Sequence, residues 1–317
     1  MPEAVPRLRH AAVLYDGDAG FASAVLPFLR EGLDLGEPTF VAVPGERLAH
    51  VRDALGGRPV TLADMTEVGR NPARIIPAIR RLVERHPGRR VRFVGEPIWA
   101  SRRACELREA TRHEALVNMA LADAPVTVLC PYDASRLDAA VIGDAERTHP
   151  LVVRRGREQA SPAYRDPSSG LPASCEAPLS DPPDDADALA FGSAGDLRRL
   201  RREVAAHAAR AGLDAAAIAD VQLAVSEVAT NTLRYSGGSG TLRIWRAGSR
   251  LLCQVDDAGR IADPLAGRRL PAADGRDGWG LLLANTLCAL VEIRSDAAGT
   301  SVRLHTELPA EHGYQTR

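Results

Sequence analysis

The sequence predicts two domains of different class: an α/β domain with a mainly parallel sheet over residues 1–160, and an α+β sandwich over residues 188–310. Three observations predict this. Before residue 156, short apolar runs alternate with segments of helical period, the pattern of strands covered by crossover helices. From about 156 to 187 proline, serine, glycine and acidic residues replace every apolar period, so residues 161–187 are expected to link the two halves. Beyond them the order changes to paired helices, a hairpin, a further helix and two closing strands, with residues 311–317 as a tail.

In the first half, "AAVLY", "PTFVAV", "VRFVG" and "PVTVLC" read as buried strands. "FASAVLPFLREGL", "ERLAHVRDAL", "ARIIPAIRRLVERH" and "ELREATRHEALVNMALA" read as the helices between them. In such a sheet a ligand sits beyond the carboxyl ends of the strands. Tyr15 and Asp16, Glu96 and Trp99, and Tyr132 and Asp133 fall at those ends, where the ordinary reading is a turn residue. "YDGDAG" lacks the spacing of a dinucleotide or P-loop fingerprint.

In the second half a strand "ALAF" precedes a helix starting near Ser193 or Asp196 and ending at Gly212, then a longer helix through "AVSEVATNTLRYSGG". "GTLRIWRA" and "RLLCQVDDAG" read as a hairpin, "GLLLANTLCALV" as a helix, and "EIRSD" and "TSVRLHTEL" as the last strands. On the long helix Ile218, Val221, Val225, Val228 and Thr232 form a stripe to be buried, while Asp220, Glu227, Asn231 and Arg234 form a polar one.

Composition narrows the function. With 317 residues and 45% apolar content the chain can bury two cores, and a net charge of −1 gives no field favouring nucleic acid or an acidic membrane. Lysine is absent, which excludes a lysine Schiff base and the P-loop lysine. Five dispersed cysteines without a CxxC pair argue against a disulfide framework or a zinc site. No signal pattern or membrane-spanning run occurs, so a cytoplasmic location without membrane contact is expected.

Four features of the second half stand in order: Glu227 and Asn231 one helical turn apart; Asp257 and Gly259 closing an apolar strand; Gly278 and Gly280 before a helix; and Gly299-Thr300 entering the last strand. This set resembles the nucleotide-binding domain of the GHKL ATPases, and within them the anti-sigma-factor serine kinases of the RsbW type. The resemblance spans about residues 186–308 and implies ATP and Mg2+ as cofactors. It implies Asn231 as the Mg2+ ligand, Glu227 as general base, Asp257 as acceptor from the adenine amino group, Gly259 and Thr300 beside the base, and Gly278 and Gly280 as a hinge near the phosphates. An asparagine carbonyl suits a hard cation. A carboxylate one turn away on the same face can serve a hydroxyl at the γ-phosphate, and glycine amides at a helix start can hold phosphate without lysine. Arg234, Arg260, Arg268 and Arg276 are candidates to neutralise phosphate charge.

The chain departs from the family pattern at Ile261, in place of the second glycine of the DxGxG box, at Trp279 between the paired glycines, and at Tyr235, where histidine is frequent. These departures favour binding over turnover.

Residues 8–164 resemble the MEDS sensory domain, most clearly in "HAAVLYDGDAGFASAVLPFLREGL" and "TRHEALVNMALADAPVTVLCPYDASRLDAAVIGDAERTHP". That resemblance implies a Rossmann- or RecA-like sheet and a small-molecule ligand, for which His10, Glu114 and Asn118 are the candidate residues. The combination resembles anti-sigma regulators of the RsbA type. It implies a sigma factor and a STAS-domain anti-anti-sigma factor as partners, the latter phosphorylated on serine or threonine, and a homodimer. The alternative is a nucleotide-gated sigma-binding module without kinase turnover. A histidine kinase is disfavoured, because its one helical candidate, His207 in "VAAHAAR", lacks an adjacent acidic residue and follows a proline-rich segment.

Overall fold

The computed structural model describes residues 7–271 and 278–309. The chain divides into two compact units, residues 1–177 and 178–317.

The first unit is built on seven strands: β1 (Arg9–Tyr15), β2 (Thr39–Val43), β3 (Thr61–Asp64), β4 (Val91–Gly95), β5 (Val126–Asp133), β6 (Leu151–Arg154) and β7 (Arg157–Ala160). Their order is β3-β2-β4-β5-β1-β6-β7, parallel throughout except for β7, which runs antiparallel to β6 at one edge with all four residues exposed. Every residue of β4 and β5 is buried, as expected of strands covered on both faces. The helices are α1 (Gly17–Asp34), α2 (Gly45–Leu55), α3 (Met65–Val68), α4 (Ile75–Glu84), α5 (Ala104–Ala120), α6 (Ala139–Thr148) and α7 (Ala173–Glu176).

Strand alternation sorts the two faces. Ala11, Val13 and Tyr15 of β1 and Leu129 of β5 pack with Phe21, Val25 and Leu29 of α1 and Val51 and Leu55 of α2. The opposite parity, which carries His10 and Cys130, is left for the other face. Within the segment expected to link the halves, Pro167 and Cys175 are buried, and the Cys175 carbonyl accepts from the Arg112 guanidinium of α5, 2.5 Å away.

The second unit is a five-stranded antiparallel sheet of order β11-β12-β10-β9-β8, comprising β8 (Asp187–Phe191), β9 (Gly240–Ala247), β10 (Arg250–Asp257), β11 (Leu290–Asp296) and β12 (Gly299–Glu307). Helices α8 (Asp196–Arg210), α9 (Ala215–Tyr235) and α10 (Trp279–Leu287) complete it. Asp214 caps α9, its carboxylate accepting from the Ala217 amide at 2.8 Å. Val221, Val225 and Val228 of α9 meet Leu200 and Val204 of α8 and Leu251, Cys253 and Val255 of β10 in one core. The apolar stripe of α9 is therefore the face that fastens the helix to the sheet, and Glu227 and Asn231 lie outside it. Among the described residues no helix is long and apolar enough to cross a membrane.

Candidate functional site

In the second unit the first turn of α10 runs against the polar stripe of α9. A β-carbon at Gly280 would lie 2.9 Å from Glu227 Oε2, 3.2 Å from Asn231 Nδ2 and 3.5 Å from Asn231 Oδ1. A side chain there would have to push the ends of Glu227 and Asn231 aside. Gly278, at φ +92°, supplies the left-handed turn that starts α10. Glu227, Asn231 and Gly280 are thus brought together across about 50 residues of sequence separation, with Glu227 and Asn231 partly exposed.

The end of the sheet supplies the second part. Asp257 ends β10 opposite Thr300 of β12, and Thr300 stands opposite Ser295 of β11. Asp257 accepts from the Thr232 hydroxyl at 2.6 Å and from the Gly259 amide at 2.8 Å, so one carboxylate ties the end of α9 to the turn after β10. The Thr300 hydroxyl donates to the Gly259 carbonyl at 2.9 Å and lies 2.7 Å from Ser295 Oγ, which accepts from the Ile261 amide at 2.8 Å. Gly259 packs so closely on Ser236 that any β-carbon there would clash with the Ser236 side chain and backbone.

The departures noted in the sequence find their places. Ile261 strains nothing: Arg155 is the one non-glycine residue with positive φ among the described residues. Trp279 is 51% exposed and Tyr235 64% exposed. Of the candidate arginines, Arg234 and Arg260 are exposed and Arg268 is buried; Arg276 lies outside the described residues. His207 on α8 has both ring nitrogens engaged, Nδ1 with the Glu203 carbonyl at 2.9 Å and Nε2 with Asp187 at 2.5 Å.

The donor set fits a magnesium nucleotide. A carboxamide oxygen on a rigid helix suits a hard cation, and a carboxylate oriented by two hydrogen bonds suits an exocyclic amine. Thr232 and Ser295 were missed as site residues: the first reads as a member of the apolar stripe, the second as an ordinary strand residue.

The first unit holds two polar constellations. At the carboxyl ends of its strands a cavity of about 290 Å3 is lined by residues that include Gly45, Arg47, Thr66, Glu96, Asp133 and Arg136. On its wall Glu96 Oε1 accepts from the buried Tyr15 hydroxyl at 2.7 Å and pairs with the Arg47 guanidinium, which also lies 3.2 Å from Asp133 Oδ2. Burial raises the Glu96 pKa to about 7 against the opposing pull of Arg47 and Tyr15. Three of the strand-end residues named from sequence thus meet at one cleft, joined by Arg47 of α2, which nothing in the sequence singled out.

The second constellation brings the three sensory candidates together. His10 Nδ1 is 3.0 Å from Asn118 Oδ1, and His10 Nε2 is 3.2 Å from Glu114 Oε2. Cys130 and His149 join them, and the side chains of His10, Glu114 and His149 are fully enclosed. Burial alone would raise the Glu114 pKa, but His149 and His10 hold it well below the carboxylate range. Burial, and then the Glu114 charge, push the Cys130 thiol well above its usual value.

Fold and site together define the class: an α/β domain joined to a helix-covered antiparallel sandwich whose polar residues gather where two helices meet the sheet end. More particularly, residues 9–150 match the MEDS family, the methanogen/methylotroph DcmR sensory domain, and residues 192–306 match the histidine kinase-like ATPase domain. The chain therefore carries a MEDS sensory domain followed by a histidine kinase-like ATPase domain.

Among solved structures, the RsbU and RsbW domains of Rv1364c from Mycobacterium tuberculosis are similar at 24% identity, over 39% of this chain and 34% of that one, with a TM-score of 0.30. This chain thus spans about a third of that structure's length. The Acinetobacter baumannii histidine kinase AdeS is similar at 9% identity over 39% and 68%, with a TM-score of 0.24. No curated protein matches the chain.

Proposed function

We propose that this chain is an ATP-binding anti-sigma regulatory factor whose second unit binds a sigma factor and phosphorylates a serine or threonine of a STAS-type anti-anti-sigma partner, under control of the sensory unit. The observation that carries this reading is the approach of Gly280 to Glu227 and Asn231, which gathers a carboxylate, a carboxamide and a helix start at one place. Asn231 would hold Mg2+ through its side-chain oxygen, and Asp257 would accept from the adenine amino group, with Thr300 and Gly259 fixing the turn beside it. The backbone amides at the start of α10 would face the phosphates, where a helix N-terminus favours negative charge. Bound Mg2+ supplies charge neutralisation on the phosphates.

Glu227 acts on the partner: its carboxylate takes the proton of the attacking hydroxyl as the oxygen turns toward phosphorus. A carboxylate serves this role best when it is ionised and reachable, and Glu227 is partly exposed. In the first unit, the strand-end cleft is the place for a small polar input ligand. Its paired Arg47, Glu96 and Asp133 offer both a cation and anions to such a molecule.

The test is Mg2+-dependent nucleotide binding together with phosphoryl transfer to a STAS-domain substrate. Asn231→Ala is expected to weaken the Mg2+-dependent component of binding. Glu227→Ala is expected to keep binding and lose transfer by about 10²- to 10⁴-fold, the usual worth of a general base. Equal affinity in wild type and both variants would defeat the assignment. Ile261 and Trp279 favour a second reading, a nucleotide-gated sigma-binding module without turnover; retained sigma binding with an unlabelled STAS partner selects it. An acid-labile phosphate on His207 would instead select the histidine kinase.

A further inference from the structure

Inside the first unit, β1, β5, α5 and the residue after α6 bring four ligating side chains to one point. Glu114 Oε2 lies 3.2 Å from His10 Nε2, 3.4 Å from His149 Nε2 and 3.3 Å from Cys130 Sγ, and Cys130 Sγ lies 3.5 Å from His10 Nε2. All four residues are buried, and their donor atoms lie within 4.8 Å of one another.

The hydrogen bonds around the cluster fix where its protons are. The Asn118 side-chain nitrogen donates to the Thr148 carbonyl at 2.7 Å and the Ala115 carbonyl at 3.2 Å, so its oxygen faces His10 Nδ1 and that nitrogen must donate. His149 Nδ1 lies 2.8 Å from the Ala145 carbonyl, which can only accept, so it donates as well. Both imidazoles then aim their Nε2 atoms at one carboxylate oxygen. Neutral rings would present lone pairs to lone pairs, an arrangement that repels unless a cation lies among them. His149 Nε2 and Glu114 Oε1 are moreover buried without a hydrogen-bond partner.

A tetrahedral ion with bonds of about 2.0–2.3 Å separates its ligands by roughly 3.3–3.8 Å. The four separations given above, 3.2 to 3.5 Å, lie within about 0.1 Å of the lower half of that range. We infer that His10 Nε2, His149 Nε2, Cys130 Sγ and the Glu114 carboxylate form a closed tetrahedral site for one first-row divalent transition ion of the zinc class. Thiolate, carboxylate and two neutral imidazoles carry two negative charges, so the loaded site is neutral inside a low-dielectric core. Without metal, neutrality needs the thiol proton and one imidazolium proton. Loading therefore exchanges one divalent ion for two protons, with no change of oxidation state. Four protein ligands leave no open position, which suits a structural or sensing site. Asn118, named from sequence as a ligand, is here a positioning residue that sets the His10 tautomer, as outer-shell partners of metal-bound histidines do.

The test uses the full chain in the absence of nucleotide, so that its outcome is independent of the second unit. Protein from cells grown with added Zn2+, dialysed and analysed for metal, is expected to hold about one ion per chain, and the folded chain refolded with Co2+ is expected to show tetrahedral ligand-field bands and a thiolate charge-transfer band. Cys130→Ala is expected to abolish that charge-transfer band. Asn118→Ala is expected to keep the bands and to weaken affinity by about 10- to 100-fold. Less than about a tenth of an ion in folded wild-type protein overturns the proposal and leaves a buried imidazolium as the cation. A Co2+ spectrum that is octahedral, or one whose thiolate band survives in Cys130→Ala, overturns it equally. If Cys130→Ala does not fold, the metal content and Co2+ spectrum of the wild type decide.

Discussion

Glu96 shows how one buried side chain makes the first unit sensitive to pH. Its pKa is raised to about 7 by burial, with Tyr15, Arg47 and Asp133 as its polar neighbours. Below the ordinary carboxylate range Glu96 is protonated folded and unfolded alike, so the fold carries no penalty. As the pH rises toward 7 the unfolded chain ionises first, and stability is lost by on the order of 3 kcal/mol across that window before levelling off. Glu96→Gln is expected to flatten the slope of unfolding free energy between about pH 5 and 7, as chemical denaturation across that range would show. An unchanged slope would mean that Arg47 compensates the charge fully. Some of these residues were legible in the sequence and some were not. Glu227 and Asn231 were, because residues four apart on a helix share a face whatever the tertiary fold. Arg47, Cys130 and His149 were not, because each gains its meaning from a partner 16 to 120 positions away.

At the scale of elements, the candidate nucleotide site depends on how closely α10 approaches α9. The glycine at position 280 sets that distance, so Gly280→Ala is expected to displace the Glu227 and Asn231 side chains and to lower Mg2+-nucleotide affinity by at least tenfold. Glu227 ends in a flexible side chain that can yield, so the fold should survive with a stability change within about 1 kcal/mol. Calorimetric titration beside a thermal melt would separate the two effects, and unchanged affinity would show that the helices can part freely. Long elements with a sustained period, such as α5 and α9, were readable from sequence. The strands β3, β6 and β7, of four residues each, were not, since so few residues carry no period to detect. Thr232 illustrates the remaining ambiguity: it is buried in the stripe as its spacing predicts, yet its hydroxyl serves Asp257.

At the scale of the whole molecule, the two units have separate hydrophobic cores. A ligand bound to one core's native state raises that unit's unfolding free energy by about 2.7 kcal/mol at a hundredfold excess over its Kd. Mg2+-ATP is therefore expected to raise one thermal transition of the full chain and leave the other in place, with Asn231→Ala removing the shift. Movement of both transitions by equal amounts would show that the units unfold as one. The change of architecture between the halves was legible because a parallel sheet and an antiparallel one impose different orders of strand and helix on the chain.

The antiparallel strand β7 has a consequence for the molecule in a crowded cell. It closes one side of an otherwise parallel sheet with a short exposed ladder, Arg157-Glu158-Gln159-Ala160, whose Glu158 is paired to Arg9. Such a charged, four-residue border is a poor template for a stray strand from another chain, so the apolar β1–β6 layer is guarded against amyloid-like growth from that side.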